Sequence, residues 1–197
     1  MSPKARTRLS PEARKLQLLE TAKEMIAAEG LQNFTMESLA RTAGVSSPLV
    51  YNYFSSRLEL LSALLQLEYD KYVTKMNEEV AGAETFEEVV RIFIGSNFDH
   101  YSPGNIIPVL SSQPEIAAAI EKADNRHNQQ IARYLVSSTA QNYKLDKKLA
   151  EQVVSMSSGA SIAAAEYASK FPVNRKQAIE NTLTYILAGL EKFADRD

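Results

Sequence analysis

Apolar residues recur at spacings of three and four along almost the whole chain, and that period commits it to α-helices, because a helix gathers such positions on one face. Runs of alternating β-branched residues bounded by turns are missing, so no sheet is expected. Ser10-Pro11-Glu12 reads as a cap, a proline at the first helical position and an acid in the first turn, each suited to unpaired N–H groups. Leu16, Leu19, Ala22, Lys23, Met25 and Ile26 continue that helix until Glu29-Gly30 stops it. Thr35 caps a short helix from Met36 to Thr42, interrupted by Gly44, and Ser46 caps another from Ser47 to Phe54 with Pro48 in its first turn. A long helix is expected from Arg57 to about Val80, then others from Thr85 to Tyr101, Ile106 to Ser111, Pro114 to about Ser138, Asp146 to Lys170 and Asn174 to Phe193. The reading is an all-α fold of about nine helices.

Composition narrows the chemistry. With 197 residues, 45% hydrophobic and 23% charged, the chain has enough apolar side chains for a sizeable core. It has no cysteine and two histidines, which excludes a thiolate nucleophile and a Cys-ligated metal, and no cofactor is expected. No stretch approaches the roughly 20 apolar residues of a membrane span, so neither a membrane partner nor export is expected, and a cytoplasmic location fits. The net charge of −2 hides an asymmetry. Residues 1 to 60 carry eight cations against six anions, while the remainder carries 14 against 18. Lys4, Arg6 and Arg8 begin a basic arm, which reads equally as a DNA contact or as a solvated tail.

Residues 35 to 54 form a steric pattern. Two short helices crossing steeply need a small residue at the closest contact, a turn position that accepts left-handed geometry and a branched apolar anchor. Ala40, Gly44 and Val50 supply them, with Val45 buried in the turn. Ser46, Ser47, Leu49 and Asn52 then fall on the outward face of the second helix, where short polar chains suit base edges in a major groove. Phe54 is expected wholly, and Tyr51 partly, in the core. Taken alone, the same pattern also describes a tight corner in an ordinary helical protein.

The surrounding sequence is more specific. From Gly30 to Leu61, GLQNFTMESLARTAGVSSPLVYNYFSSRLELL resembles the N-terminal signature of the TetR family of transcriptional repressors: the Thr cap, Ala-x2-Ala-Gly-Val-Ser, Tyr-x-Tyr-Phe, a base and a Leu pair. The resemblance implies a helix-turn-helix DNA-binding domain over residues 1–56 and a ligand-binding and dimerisation domain over 57–197. It places Thr35, Tyr53 and Arg57 at DNA phosphates, and Ser46, Ser47, Pro48, Leu49 and Asn52 facing bases. Two positions depart from the family's habit: Ser47 stands where Lys is frequent, and Leu58 where an acid often follows the base.

Beyond residue 65 the resemblance is looser, and the residues are read for themselves. Asn97 and Tyr101 on one helix and His127 on another interrupt apolar stripes. A buried polar group is either satisfied within the core or kept for a ligand, and for His127 the core alternative is the commoner. Phe93, Phe98, Met156 and Tyr167 would complete an amphipathic pocket. Ser155 to Ala168 is rich in small residues that permit close helix approach. With Ile179, Leu183, Ile186, Leu187 and Leu190 it is similar to the two-helix element through which TetR proteins form a four-helix dimer bundle.

The expected function is a ligand-responsive, DNA-binding transcriptional regulator. It is read as a homodimeric repressor released from a double-stranded DNA operator by a small apolar or amphipathic effector. The alternative is a small all-α enzyme or carrier using the C-terminal pocket. Nucleophile elbow, phosphate loop and HExxH are all missing, so an enzyme is not expected.

Overall fold

A computed structural model describes residues 9–194, with the side chains of residues 119–130 outside the description. Its described residues form nine α-helices and one 3-10 turn, with no strand among them. They are α1 (Pro11–Glu29), the 3-10 turn (Leu31–Asn33), α2 (Met36–Thr42), α3 (Ser47–Tyr53), α4 (Arg57–Ala81), α5 (Phe86–His100), α6 (Ile107–Ser111), α7 (Pro114–Tyr143), α8 (Lys147–Lys170) and α9 (Arg175–Ala194). None is long and apolar enough to cross a membrane.

Local chemistry sets most of the boundaries. Ser10 accepts from the Ala13 N–H at 3.2 Å, and Thr35 and Ser38 form a reciprocal capping box that satisfies two free donors at the start of α2. Leu58 departs from the family's habit without loss of a cap at α4. Ser56 accepts from the Glu59 N–H, and the Glu59 carboxylate accepts from the Ser55 N–H at 2.7 Å. The helix from Pro114 runs five residues beyond its expected end near Ser138 and stops only where Lys144 adopts a left-handed φ of +54°.

Two apolar clusters organise the packing. The first joins α1, α2 and α3 to the N-terminal half of α4, through Leu60, Leu61, Leu64 and Leu65, and continues into α6 and the start of α7. The second joins α5, α8 and α9. α4 connects the two regions, since its lower part packs in the first cluster and its upper part contacts α5 and α7. Charged pairs fasten α1 to α4: Lys23 bonds Glu68 at 2.6 Å, and Lys71 reaches both Glu68 at 3.0 Å and Glu20 at 2.5 Å. Burial works against ionisation of Glu68, yet the two lysines outweigh it and hold the carboxyl below its usual range. α1 and α4 are therefore tied by apolar packing and by charge.

Candidate functional site

The turn between α2 and α3 is built as the steric pattern requires, except that Val45 is half-buried at the edge of the core and not enclosed by it. Val45 N–H donates to the Ala40 carbonyl at 2.9 Å and Gly44 N–H to the Arg41 carbonyl at 3.2 Å, the paired bonds of a Schellman motif. Its left-handed position is Gly44, at φ +66°. Ala40 and Val50 are buried against each other's helices, and nothing lies within 4 Å of where a Gly44 Cβ would stand. The glycine is needed for its backbone alone. Gly44→Ala is expected to cost about 1 kcal/mol, read as a lower urea midpoint with unchanged slope.

On α3, Ser46, Pro48 and Asn52 are exposed, while Ser47, Leu49 and Tyr53 are half-buried. Ser46 caps through its backbone only, so its hydroxyl is not used on the helix. Thr35 is exposed with its hydroxyl accepting from the Ser38 N–H. Phe54 is buried as expected, with Lys15 over its ring. Tyr51 is more exposed than expected, at 44%, and its hydroxyl donates to Glu37 at 3.2 Å across the two helices. Lys4, Arg6 and Arg8 lie outside the described residues.

Arg57 has a second use that the sequence reading missed. Its Nε donates to the Phe34 carbonyl at 3.2 Å and its Nη2 to the Leu31 carbonyl at 3.0 Å. Two of the five donors of a guanidinium thus fasten the start of α4 to the 3-10 turn before α2. The 3-10 turn itself carries no periodic signal, so neither the turn nor its need for donors was legible. Arg41, at the end of α2, is a further exposed cation beside the turn.

A cavity of about 460 Å³ lies among α4, α5, α7, α8 and α9. Phe93 and Asn97 line it, as do Tyr72 and Met76 of α4. Asn97 donates from Nδ2 to the Ser161 hydroxyl at 2.9 Å. Tyr72 is half-buried, and burial raises its phenol above the ordinary value, with the Ser96 hydroxyl opposing and Asp99 adding to the rise. No carboxylate, ammonium, guanidinium or imidazole is among the described lining residues.

Four expected pocket residues lie elsewhere, which corrects the grouping. Phe98 is buried in the α5–α8–α9 cluster, and Tyr101 sits beyond the cavity near Glu166. Met156 and Tyr167 are 56% and 57% exposed on the outer face of α8, where Tyr167 stacks on Phe171. The reason is helix phase: Val154, Ser157, Ser158 and Ser161 form the inward stripe, and Met156 and Tyr167 fall off it. His127 lies among the side chains outside the description. Ile179, Leu183, Ile186 and Leu190, read as a partner-facing set, are instead buried in the second cluster, and Ile186 and Leu190 line the cavity.

A capped, glycine-turned helix pair fastened to one long helix, which itself enters the wall of a cavity, is the architecture of a helix-turn-helix regulator. Residues 18–64 match the family model for bacterial regulatory proteins of the tetR family. The chain is 26% identical over 191 residues to the HTH-type transcriptional activator FasR of Mycolicibacterium smegmatis, covering 93% of this chain and 85% of that one. It is 22% identical over 149 residues to the fatty acid metabolism regulator protein of Bacillus subtilis, covering 71% and 76%. Among solved structures, that of the transcriptional regulator FadR from Bacillus subtilis in complex with stearoyl-CoA is similar, with a TM-score of 0.65 at 19% identity over 88% of this chain and 98% of the other. These matches make the chain a DNA-binding transcriptional regulator whose residues 18–64 are of the TetR type.

Proposed function

We propose that the protein is a cytoplasmic, homodimeric repressor whose operator affinity falls when an apolar or amphipathic molecule enters the cavity. Residues 1–56 would read DNA, and residues 57–197 would sense the ligand and dimerise. The observation that carries this reading is the path of α4. Its first turn is bonded through Arg57 to the 3-10 turn that leads into the helix-turn-helix, and its upper part lines the cavity through Tyr72 and Met76. A ligand that moves those two side chains acts on a helix already tied to the DNA-reading face. Such an effect requires the ligand to bind the two states with different affinity, and operator and ligand must then weaken each other by the same factor.

An uncharged lining suits an aliphatic body, and the Bacillus subtilis relative is named a fatty acid metabolism regulator. An acyl chain is therefore the proposed core of the ligand. Dimerisation is supported by the outer face of α8 and α9, where Met156, Tyr167, Phe171 and Tyr185 are exposed and no Cβ-sized obstacle lies at Gly159. The whole-length relative FasR is named an activator, so activation is the second reading of the direction of control.

The test is reciprocal titration of protein, operator duplex and N-phenyl-1-naphthylamine, a neutral apolar fluorophore. Saturating fluorophore is expected to weaken operator binding about 5- to 150-fold, with operator weakening the fluorophore equally. Binding of both with no mutual effect would contradict it. A promoter fusion separates repression from activation by the sign of the change on deleting the gene.

A further inference from the structure

We propose that the cavity selects a ligand bearing an uncharged oxygen function, a hydroxyl or ketone, along its apolar chain, in preference to a plain hydrocarbon of the same shape. This rests on the reading of the cavity as a ligand site and specifies which chemistry it takes.

Hydroxyls on helices ordinarily bond back to the carbonyl one turn earlier, which hides their polarity. Thr21, Thr182 and Thr184 all do so here, to the carbonyls of Gln17, Ala178 and Glu180 at 2.8 to 2.9 Å. Thr139 does not. It is 2% exposed, lines the cavity, and makes no side-chain hydrogen bond to another described residue. Ser157 and Ser158 on α8 line the same cavity and are likewise unbonded among the described residues, whereas Ser169 on the same helix bonds the Glu166 carbonyl at 2.8 Å. Asn97 spends Nδ2 on Ser161, and its amide oxygen accepts from no described residue.

The cavity thus carries polar side chains from α5, α7 and α8 within walls of Phe, Ile, Leu and Val. A fully apolar ligand would strip these groups of water and return nothing, a cost that buried polar groups impose on a mismatched occupant. A hydroxyl or ketone at chain depth restores the bonds. The absence of charge from the described lining disfavours a carboxylate or phosphate at that depth, because an unpaired buried ion is far more costly than a neutral group. The polar groups are therefore placed to determine specificity, not merely to tolerate water.

The experiment displaces N-phenyl-1-naphthylamine with undecane and with undecan-6-ol, in the wild type and in Thr139→Val and Ser158→Ala. Both substitutions remove a hydroxyl at nearly constant shape. The quantity read is the ratio of the two dissociation constants, which does not depend on the fraction of folded protein. It is expected to shift by about three- to tenfold against the alcohol in at least one variant. A ratio unchanged in both variants overturns the inference, since water then satisfies the hydroxyls whatever the ligand. If the wild type does not bind the fluorophore, or undecane fails to displace it, the ligand-site reading itself fails.

Discussion

Phe54→Ala is expected to destabilise the protein by about 3–5 kcal/mol, the largest effect of any single truncation at the head of the molecule. Phe54 closes α3, is 1% exposed, and packs in the cluster that joins α1 and α2 to Leu60, Leu61, Leu64 and Leu65 of α4. Removing its ring leaves a cavity at the meeting point of four helices and takes away the surface under Lys15. Chemical denaturation measures the loss, and thermal scans should show an N-terminal unit melting early. A change within experimental error would mean that α3 is not held by this core.

Splitting the proposed dimer is expected to have the largest effect on DNA binding. Tyr167 on α8 and Tyr185 on α9 are 57% and 71% exposed on the outer face of the two packed helices. The double variant Tyr167→Glu/Tyr185→Glu places like charges where a symmetric partner would bring the same surface. Because neither side chain belongs to a core cluster, the fold should survive. Operator affinity should fall by on the order of 100- to 10,000-fold, since each half-site is then bound alone without the effective concentration that linkage provides. Light scattering should show halving of the mass in parallel. A dimer that persists would place the interface elsewhere.

The parts of the fold that were legible in the sequence are those fixed by local chemistry. Thr35, Gly44 and Ser56 each act within a few residues of themselves, so a cap or a left-handed turn can be read without knowing what packs above it. The end of α7 was not legible for the same reason reversed. Its left-handed C-cap position is occupied by Lys144, not by glycine or asparagine, so the usual stop signal is missing. The cavity was legible only in part. On α5, Phe93 and Asn97 share the face of Val90 and Ile94 and could be assigned to the inside, whereas Phe98 and Tyr101 near the same helix end lie off the cavity. On α8, Ser155 to Ala168 is mostly Ser, Gly and Ala, so helical phase has little signal there. Met156 and Tyr167 were drawn inward by their size, whereas Ser157, Ser158 and Ser161 hold the inward stripe. Arg57 shows a different limit: an exposed cation is read outward, yet the backbone carbonyls of Leu31 and Phe34, at an unforeseen 3-10 turn and its cap, claim two of its donors.

The sparse charge on α3 sets the character of the proposed DNA binding. Few neutralised phosphates imply modest non-specific affinity, with discrimination resting on dimer geometry and a few polar contacts. Sequence-specific recognition is tested most directly by fluorescence anisotropy with duplex fragments from around the encoding gene, titrated beside random duplex at one fixed salt concentration. At least one fragment is expected to bind about a thousandfold or more tightly than random DNA. Equal affinity for every duplex across the whole set would contradict it.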